Sequence, residues 1–312
     1  MSVIIAIDIG GTQLRVSIYP KDSTVPINVQ RAPTRGMEDG AFDRLTALID
    51  SVWPKEPVDA ISVAAPGPLE PKTGIIFSTP NIKEWVNFPL AKKLNSRFGV
   101  PVYLNNDAKM AAVGEWRYGA GLGHHDVLYL TISTGIGGGV ILDDRLLLGQ
   151  RGLASELGHI TVLQDGPLCS CGRRGHLEAV ASGPAIAKYV SEKIAEGRQS
   201  VLGSEATLTA LAVAKAAQQG DELSKEAFIR AGTFIGQATA DFLHIFNPSI
   251  VIFGGGVSRS GDLILDPIKE SMRRNILDPA YLDGLEIAIA ELGDNAGLLG
   301  SLAQAHARLS KH

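Results

Sequence analysis

Hydrophobic positions along the chain follow two periods. Residues 3–9 are a β-branched run closed by Gly10-Gly11, and residues 15–19 resume with alternating character, so 3–19 are predicted to form a β-hairpin. The pattern returns at 127–133, where a second apolar strand runs into the turn TGIGGG at 134–139 and a further strand at 140–142. Two strand–glycine turn–strand units point to a weak internal duplication and to two related α/β lobes. Strands are also expected at 58–64, 100–104 and 249–253, and helices at 41–53 and 90–98 and from Asp107 onward. Beyond residue 177 the chain reads as mostly helical. Phe228, Ala231, Ile235, Ala238, Phe242 and Ile245 recur at gaps of three and four, which predicts a long amphipathic helix over 222–246, stopped by Asn247-Pro248. A final helix is expected from about 297. Strands alternating with helices, with glycine turns after several strands, make the fold class α/β.

Composition narrows the function classes. The 312 residues are 45% hydrophobic, 20% charged and 6% aromatic, which excludes long disordered tracts. A formal charge of −4 gives no electrostatic footprint for nucleic acid or for an anionic membrane. No apolar run approaches the roughly 18 residues that cross a bilayer. The N-terminal stretch has no basic leader and is interrupted by Asp8, so it reads as a buried strand rather than a signal peptide. With two cysteines, the reducing cytoplasm is the expected compartment.

Glycine after a strand lets backbone N–H groups approach an anion with no Cβ in the way. Asp8-Ile9-Gly10-Gly11-Thr12 has this form, with a threonine hydroxyl as a further donor and a carboxylate for a hydrated cation. Thr134 and Gly135 open a second such turn. Gly254-Gly255-Gly256 follows a strand expected to be fully buried and leaves an edge open for a flat ring. Neither a Walker-type loop nor a dinucleotide fingerprint is present.

Both cysteines fall in HITVLQDGPLCSCGRRGHLE, residues 159–178. His159, Cys169, Cys171 and His176 supply four zinc-type ligands, with glycines at 172 and 175 to tighten the loop. A disulfide and a plain pair of buried thiols stand as alternatives on spacing alone; the first is disfavoured by ring strain in a C-x-C pair.

DIGGT, AAPGPL at 64–69, NNDA at 105–108, TGIGGG, ELGH at 156–159, CSCGRRGHLE at 169–178 and FGGGVS at 253–258 occur in the order seen in ROK sugar kinases (repressors, open reading frames, kinases). The chain resembles that family over nearly its whole length, its glucokinase members most of all. The resemblance implies an actin-like ATPase (ribonuclease H-like) fold, two lobes with an interdomain cleft. The expected division is a small lobe over 1–107, a larger lobe over 108–296 carrying the zinc loop and adenosine pocket, and a terminal helix at 297–312 packing back on the first. A hinge is expected near 107–120.

The resemblance also implies chemistry. Asp107 would be the general base that takes the proton of a sugar hydroxyl; on sequence alone, an Asp at a helix start serves equally as a cap. Gly67, Asn81, Asn106, Asp107, Glu156, His159 and Glu178 would bind the sugar. Asp8, Gly10, Gly11, Thr12, Thr134, Gly135, Gly254, Gly255 and Gly256 would hold ATP and Mg2+. Structural Zn2+ would sit on His159, Cys169, Cys171 and His176, the last standing where the family usually has a third cysteine. The two ring nitrogens of His159 would then divide between metal and sugar. The implied activity is ATP-dependent phosphorylation of a hexose, glucose first, with fructose, mannose, allose or an N-acetylhexosamine as other acceptors. Polyphosphate-using relatives typically lack the cysteine motif, which favours ATP as donor. A non-catalytic sugar sensor is the alternative of a different class. A repressor would need a winged helix ahead of DIGGT, for which seven residues leave no room. Expected partners are the sugar, ATP and a second copy in a homodimer, with neither nucleic acid nor membrane.

Overall fold

The computed structural model describes residues 2–35, 40–203 and 207–310. The first stretch of chain forms β1 (Val3–Ile9), β2 (Gln13–Pro20), β3 (Asn28–Pro33), α1 (Ala41–Val52) and β4 (Val58–Ala65). Two short strands, β5 (Leu69–Glu70) and β6 (Ile75–Ile76), precede α2 (Leu90–Phe98), β7 (Val102–Asn106) and α3 (Asp107–Tyr118). Then come β8 (Val127–Ile132), β9 (Ile136–Leu142), β10 (Arg145–Leu146), α4 (Leu177–Ala181), α5 (Gly183–Ala195), α6 (Ala210–Gln218) and α7 (Glu222–Phe246). The chain continues through β11 (Ile250–Gly254), α8 (Asp262–Asn275), β12 (Glu286–Ile289) and α9 (Ala296–Leu309). Residues 311 and 312, the end of the expected last helix, lie outside the described residues. No helix among the described residues is long and apolar enough to cross a membrane.

Contacts gather the chain into two units: residues 1–123, 145–155 and 291–312, and residues 124–144 and 156–290. The first is built on a sheet of order β3-β2-β1-β4-β7, in which β1 pairs antiparallel with β2 and parallel with β4, and β4 parallel with β7. All seven residues of β1 are buried because both faces are covered. Ile5, Ile7 and Ile9 pack with Leu45 and Ile49 of α1 and Leu94 of α2, while Ile4 and Ala6 pack with Leu298 and Leu302 of α9. That double burial explains an unbroken apolar run where a half-exposed strand would alternate.

The first unit runs past residue 107 through α3 because α3 lies directly against α9. A Cβ at Gly300 would fall 1.7 Å from Met110 O, and one at Gly114 would fall 2.3 Å from Ala296 O. The helix backbones touch where a side chain would hold them apart.

In the second unit, β8 pairs antiparallel with β9 and parallel with β11, and β11 parallel with β12. An antiparallel hairpin strand followed by parallel neighbours repeats the pattern of the first sheet. Helix α7 has the predicted bounds and ends at Asn247 in the left-handed conformation. The glycine run at 134–139 differs from its sequence reading: the turn is confined to Ser133–Gly135, and Gly137, Gly138 and Gly139 belong to β9, opposite Thr131, Leu130 and Tyr129. A Cβ at Gly138 would sit 2.6 Å from Leu157 Cδ1, so glycine serves close packing there instead of a longer loop.

Candidate active site

Three parallel strands of the first unit end side by side, and the loops after them carry most of its predicted site residues. In doubly wound sheets, ligands gather outside the carboxyl ends of strands. Asp8 lies near the end of β1, buried, ion-paired through Oδ2 with Arg15 opposite it on β2. Burial pushes its carboxyl above the ordinary aspartate range, against the pull of Arg15. Arg15 also donates to Asp294 O, and Gly297 in the first turn of α9 faces the Asp8 carboxylate, where a Cβ would come within 3.1 Å of Cγ. Gly10 N donates to Gln13 O at 2.9 Å, closing the turn. Thr34 braces it twice: Thr34 Oγ1 donates to Gly10 O at 2.8 Å and Thr34 N to Thr12 O at 2.9 Å. Asn81 lies against the same turn, since a Cβ on Gly11 would fall 2.7 Å from Asn81 Nδ2.

The loop bearing Asn81 is shaped by Thr79, whose Oγ1 accepts from Ile82 N and donates to Ile82 O, each at 2.8 Å. Arg35 holds Asn81 from outside, donating to its backbone O at 2.8 Å and to Oδ1. Gly67, after β4, has φ +90, and a Cβ there would fall 2.1 Å from Ser78 O. Glycine is therefore required, and the contact joins the 67 and 78–81 loops.

At the end of β7, Asn105 Nδ2 donates to Gln304 Oε1 at 2.9 Å. Asn106, not Asp107, caps α3: its Oδ1 accepts from Lys109 N at 3.2 Å. Asp107 is thus the first helical residue, half-buried, with Oδ1 accepting from Ala108 N at 2.8 Å. Both Asn106 and Asp107 therefore accept amides of the first turn of α3.

The second unit assembles the rest. Ser133–Gly135 form the turn between β8 and β9, with Thr134 exposed and Gly135 half-buried. The Gly254–Gly256 loop follows β11 beside it, with Val257 N donating to Ile132 O at 3.0 Å. Gly254 would drive a Cβ into Tyr129 Oη at 2.3 Å, and Gly255, at φ +85, into Ile132 O at 2.3 Å; Gly256 faces open space. The Glu178 carboxylate lies against the 134–136 turn, with Oε2 accepting from Ile136 N at 3.1 Å and Oε1 from Ser170 Oγ at 2.9 Å. A Cβ on Gly135 would fall 2.4 Å from Glu178 Oε2. Glu156 starts a single 3-10 turn, Leu157–His159, with His159 N donating to Glu156 O at 3.0 Å.

His159, Cys169, Cys171 and His176 come together, their ligand atoms all within 4.8 Å of one another. His159 Nδ1 and His176 Nδ1 are 3.3 Å apart, Cys169 Sγ lies 3.6 Å from His159 Nδ1, and Cys171 Sγ lies 3.2 Å from His176 Nδ1. A tetrahedral zinc with bonds of about 2.3 Å to sulfur and about 2.0–2.1 Å to nitrogen separates its ligands by about 3.3–3.8 Å, close to these three contacts, so the donor types and their clustering suit a metal ion. Both cysteines are free thiols, which removes the disulfide alternative. Burial pushes the Cys169 thiol up and the His176 imidazole down. Each histidine turns Nδ1 to the cluster and leaves Nε2 outside it.

Several residues that organise the site escaped the sequence reading: Arg15, Thr34, Arg35, Thr79 and Ser170, together with the buried Lys109 and Glu115 on α3. Lys109 Nζ donates to Gly152 O at 3.2 Å. Glu115, fully buried, accepts from Ala120 N at 3.1 Å, Glu291 N at 3.1 Å and Leu292 N at 2.8 Å. Threonine in a loop and arginine beside a turn are local signals; the partners of Lys109 and Glu115 are remote in sequence and give none.

Known proteins resemble this chain over nearly its full length. The glucokinase of Thermotoga maritima is 36% identical over 304 residues, covering 96% of this chain and 95% of its own. The crystal structure of a ROK family glucokinase from Streptomyces griseus, in complex with glucose and AMPPNP, superposes with a TM-score of 0.83 at 34% identity, covering 98% of this chain and 99% of that one. The ROK hexokinase from Thermus thermophilus gives a TM-score of 0.83 at 32% identity, with 99% and 100% covered. Its neighbours share the actin-like ATPase fold, and the ROK family pattern matches residues 4–308. The chain is a member of the ROK family.

Proposed function

We propose that the chain is an ATP-dependent hexose kinase that converts glucose to glucose 6-phosphate, with Asp107 as general base. The observation that carries this reading is the placement of Asp107 at the end of β7, on a helix start whose cap is supplied by Asn106. Full-length similarity to a glucokinase that binds glucose and AMPPNP supports both the donor and the acceptor.

In the reaction, the sugar 6-hydroxyl oxygen forms a bond to the γ-phosphorus as the β–γ bridging P–O bond breaks and ADP leaves. Asp107 takes the hydroxyl proton. Positioning and charge stabilisation supply most of the remaining rate. The turns at Gly10–Thr12 and Thr134–Gly135 present backbone N–H groups and threonine hydroxyls for the phosphates. Gly254–Gly256 lines the adenosine. Mg2+, when bound, would neutralise phosphate charge; Asp8, engaged by Arg15 through one oxygen, is the carboxylate that would face its hydration shell. Gly67, Asn81, Asn106, Glu156, His159 and Glu178 are the residues proposed to bind the sugar. Carboxylates and amides that each accept from neighbouring hydroxyls fix its orientation. The four Cys/His donors would hold a structural zinc, joining His159 to the loop that ends in Glu178 and leaving His159 Nε2 for a hydroxyl.

The test is a coupled ADP-release assay over glucose, fructose, mannose, allose and N-acetylmannosamine, with ATP and polyphosphate as donors. Glucose with ATP is expected to give the highest kcat/KM. Absence of turnover on every hexose would point to the sugar-sensor alternative and overturn the reading. Asp107→Asn is expected to lower kcat at least about a hundredfold, the low end for loss of a positioned base, with AMPPNP affinity retained. Near-normal turnover of that variant would remove Asp107 from its role.

A further inference from the structure

The first unit contains a cavity of about 530 Å3 that none of the site residues above lines. This volume falls in the range of small-molecule sites, about 300–1,000 Å3. Its walls are β7 at Tyr103, α9 at Gln304 and Arg308, the hairpin end at Lys72, and the turn from Gly149 to Gly152.

The charge of these walls is one-sided. Lys72, Arg151 and Arg308 line the cavity and no carboxylate does, in a chain whose formal charge is −4. Arg151 shares its guanidinium with Glu70, Nε to Oε1 at 2.7 Å. Arg308 makes no ion pair among the described residues, and Lys72 makes none at contact distance, although it lies in the field of the Glu70 carboxylate that Arg151 holds. The turn adds donors of its own. The amides of Gly149, Gln150, Arg151 and Gly152 donate to no protein acceptor among the described residues, and Gly149 and Gly152 have φ of +66 and +84. Successive unpaired amides in such turns form anion-binding concavities.

The wall is also built to hold its shape. A Cβ on Gly152 would fall 2.2 Å from Pro71 Cδ, so the turn is lodged against the hairpin. The Arg151 guanidinium stacks 4.9 Å from the centre of the Phe77 ring. From behind, Lys109, 1% exposed, donates through Nζ to Gly152 O. Gln304 is oriented by Asn105 and reaches Ser62 Oγ at 3.4 Å.

We propose that this cavity is a second ligand site, taking a phosphate group carried on a small hydroxylated molecule. Two unpaired cations, a third shared one and an array of amides match the three oxygens of a phosphate dianion better than the two of a carboxylate. The volume leaves room for a sugar-sized body against Tyr103. The turn that would close on the phosphate lies four residues before Glu156 in sequence. Occupancy is therefore expected to change the sugar KM more than kcat, a consequence that rests on the kinase reading, whereas the binding does not.

The test is calorimetric titration of the full chain, with glucose and AMPPNP present to fill the proposed active site, using inorganic phosphate, glycerol 3-phosphate and glycerol as probes. The proposal expects one saturable site per chain for glycerol 3-phosphate, none for glycerol, and at least tenfold weaker binding in the Lys72→Gln/Arg308→Gln double variant. Both side chains are exposed, so the variant is expected to melt with the wild type, and circular dichroism checks this. Phosphate binding as tightly as its ester would assign the site to the free ion. No saturable binding of either phosphate, or equal affinity in the folded double variant, would overturn the proposal. Because the variants assign the site, a chain found inactive on hexoses would leave this result readable.

Discussion

Glu115 offers the sharpest energetic test of the first unit. It is 0% exposed, and its two oxygens accept from three backbone amides at 2.8–3.1 Å. Ala120 lies just before residue 123, where the chain leaves the unit, and Glu291 and Leu292 lie where it returns. A hydrogen bond to a charged group contributes about 1.5–3 kcal/mol, and a buried donor left unpaired costs about 1–3 kcal/mol. Glu115→Ala strands all three donors, so its cost is about 4–6 kcal/mol, much of a stability that is typically about 5–15 kcal/mol. Glu115→Gln is more discriminating. Its carbonyl can take the place of Oε2, which serves Ala120 and Glu291, but its amide then meets Leu292 N at the 2.8 Å position as donor against donor. The expected cost is about 2–3 kcal/mol, one charged-group hydrogen bond lost with its donor stranded. Urea unfolding read by fluorescence and circular dichroism gives both values, and hydrogen exchange in the Glu115→Gln variant should accelerate at the 120, 291 and 292 amides before it does elsewhere. A Glu115→Ala cost under about 1 kcal/mol, the size of one ordinary hydrogen bond, or a Glu115→Gln variant as stable as wild type, would refute the three-bond account.

Three further outcomes follow from features of the fold. Gly67→Ala combines φ +90 with a Cβ 2.1 Å from Ser78 O, so it should displace the 78–81 loop and raise the glucose KM well above any change in thermal midpoint, measured by steady-state kinetics and melting. Chelation with a strong zinc ligand, or Cys171→Ser, should release the ion, lower the melting temperature and weaken sugar binding; metal analysis finding well under one zinc per chain before chelation would dispose of the metal centre. Asp221 caps α7, and although burial raises its carboxyl, hydrogen bonds from Ser224 and Val201 hold it below the ordinary aspartate range. A carboxyl depressed in the folded state contributes stability above the unfolded pKa of about 3.9 and loses it as pH falls through the folded value. Asp221→Asn should accordingly flatten the acid limb of the stability curve below about pH 4, with wild-type steepness there as the contrary result.

What the sequence made legible tracks how local each determinant is. Helix α7 has its predicted ends because its apolar stripe, its Asp221 cap and the Asn247-Pro248 stop all lie within the segment. β1 was readable because burial on both faces leaves an unbroken apolar run. β3 escaped because its six residues are largely exposed and give no alternation to follow. α8 escaped because Pro267 interrupts a helical pattern; in the structure that proline packs against α7, where a Cβ on Gly232 would fall 2.6 Å from Pro267 Cβ. In the candidate site, glycine turns, the Asn-Asp pair and the Cys/His spacing carry their own signals. The lengths of the turns do not, because Gly138 is glycine for Leu157, a neighbour absent from any local pattern. The amide partners of Glu115 and the carbonyl partner of Lys109 are likewise set by tertiary packing.

The contact of α3 with α9 at Gly114 and Gly300 also has a temporal side. A ribosome emits β1 and the Asp107 helix early, yet the surface that covers one face of β1 and supports α3 is made only after the whole second unit. Until α9 emerges, Ile4 and Ala6 lack Leu298 and Leu302 and Met110 lacks Ala303, so the Asp107 helix should stay unsettled on the nascent chain. Kinase activity would then wait for α9 to emerge, and the exposed first sheet is the part of the growing polypeptide that a chaperone would most readily hold.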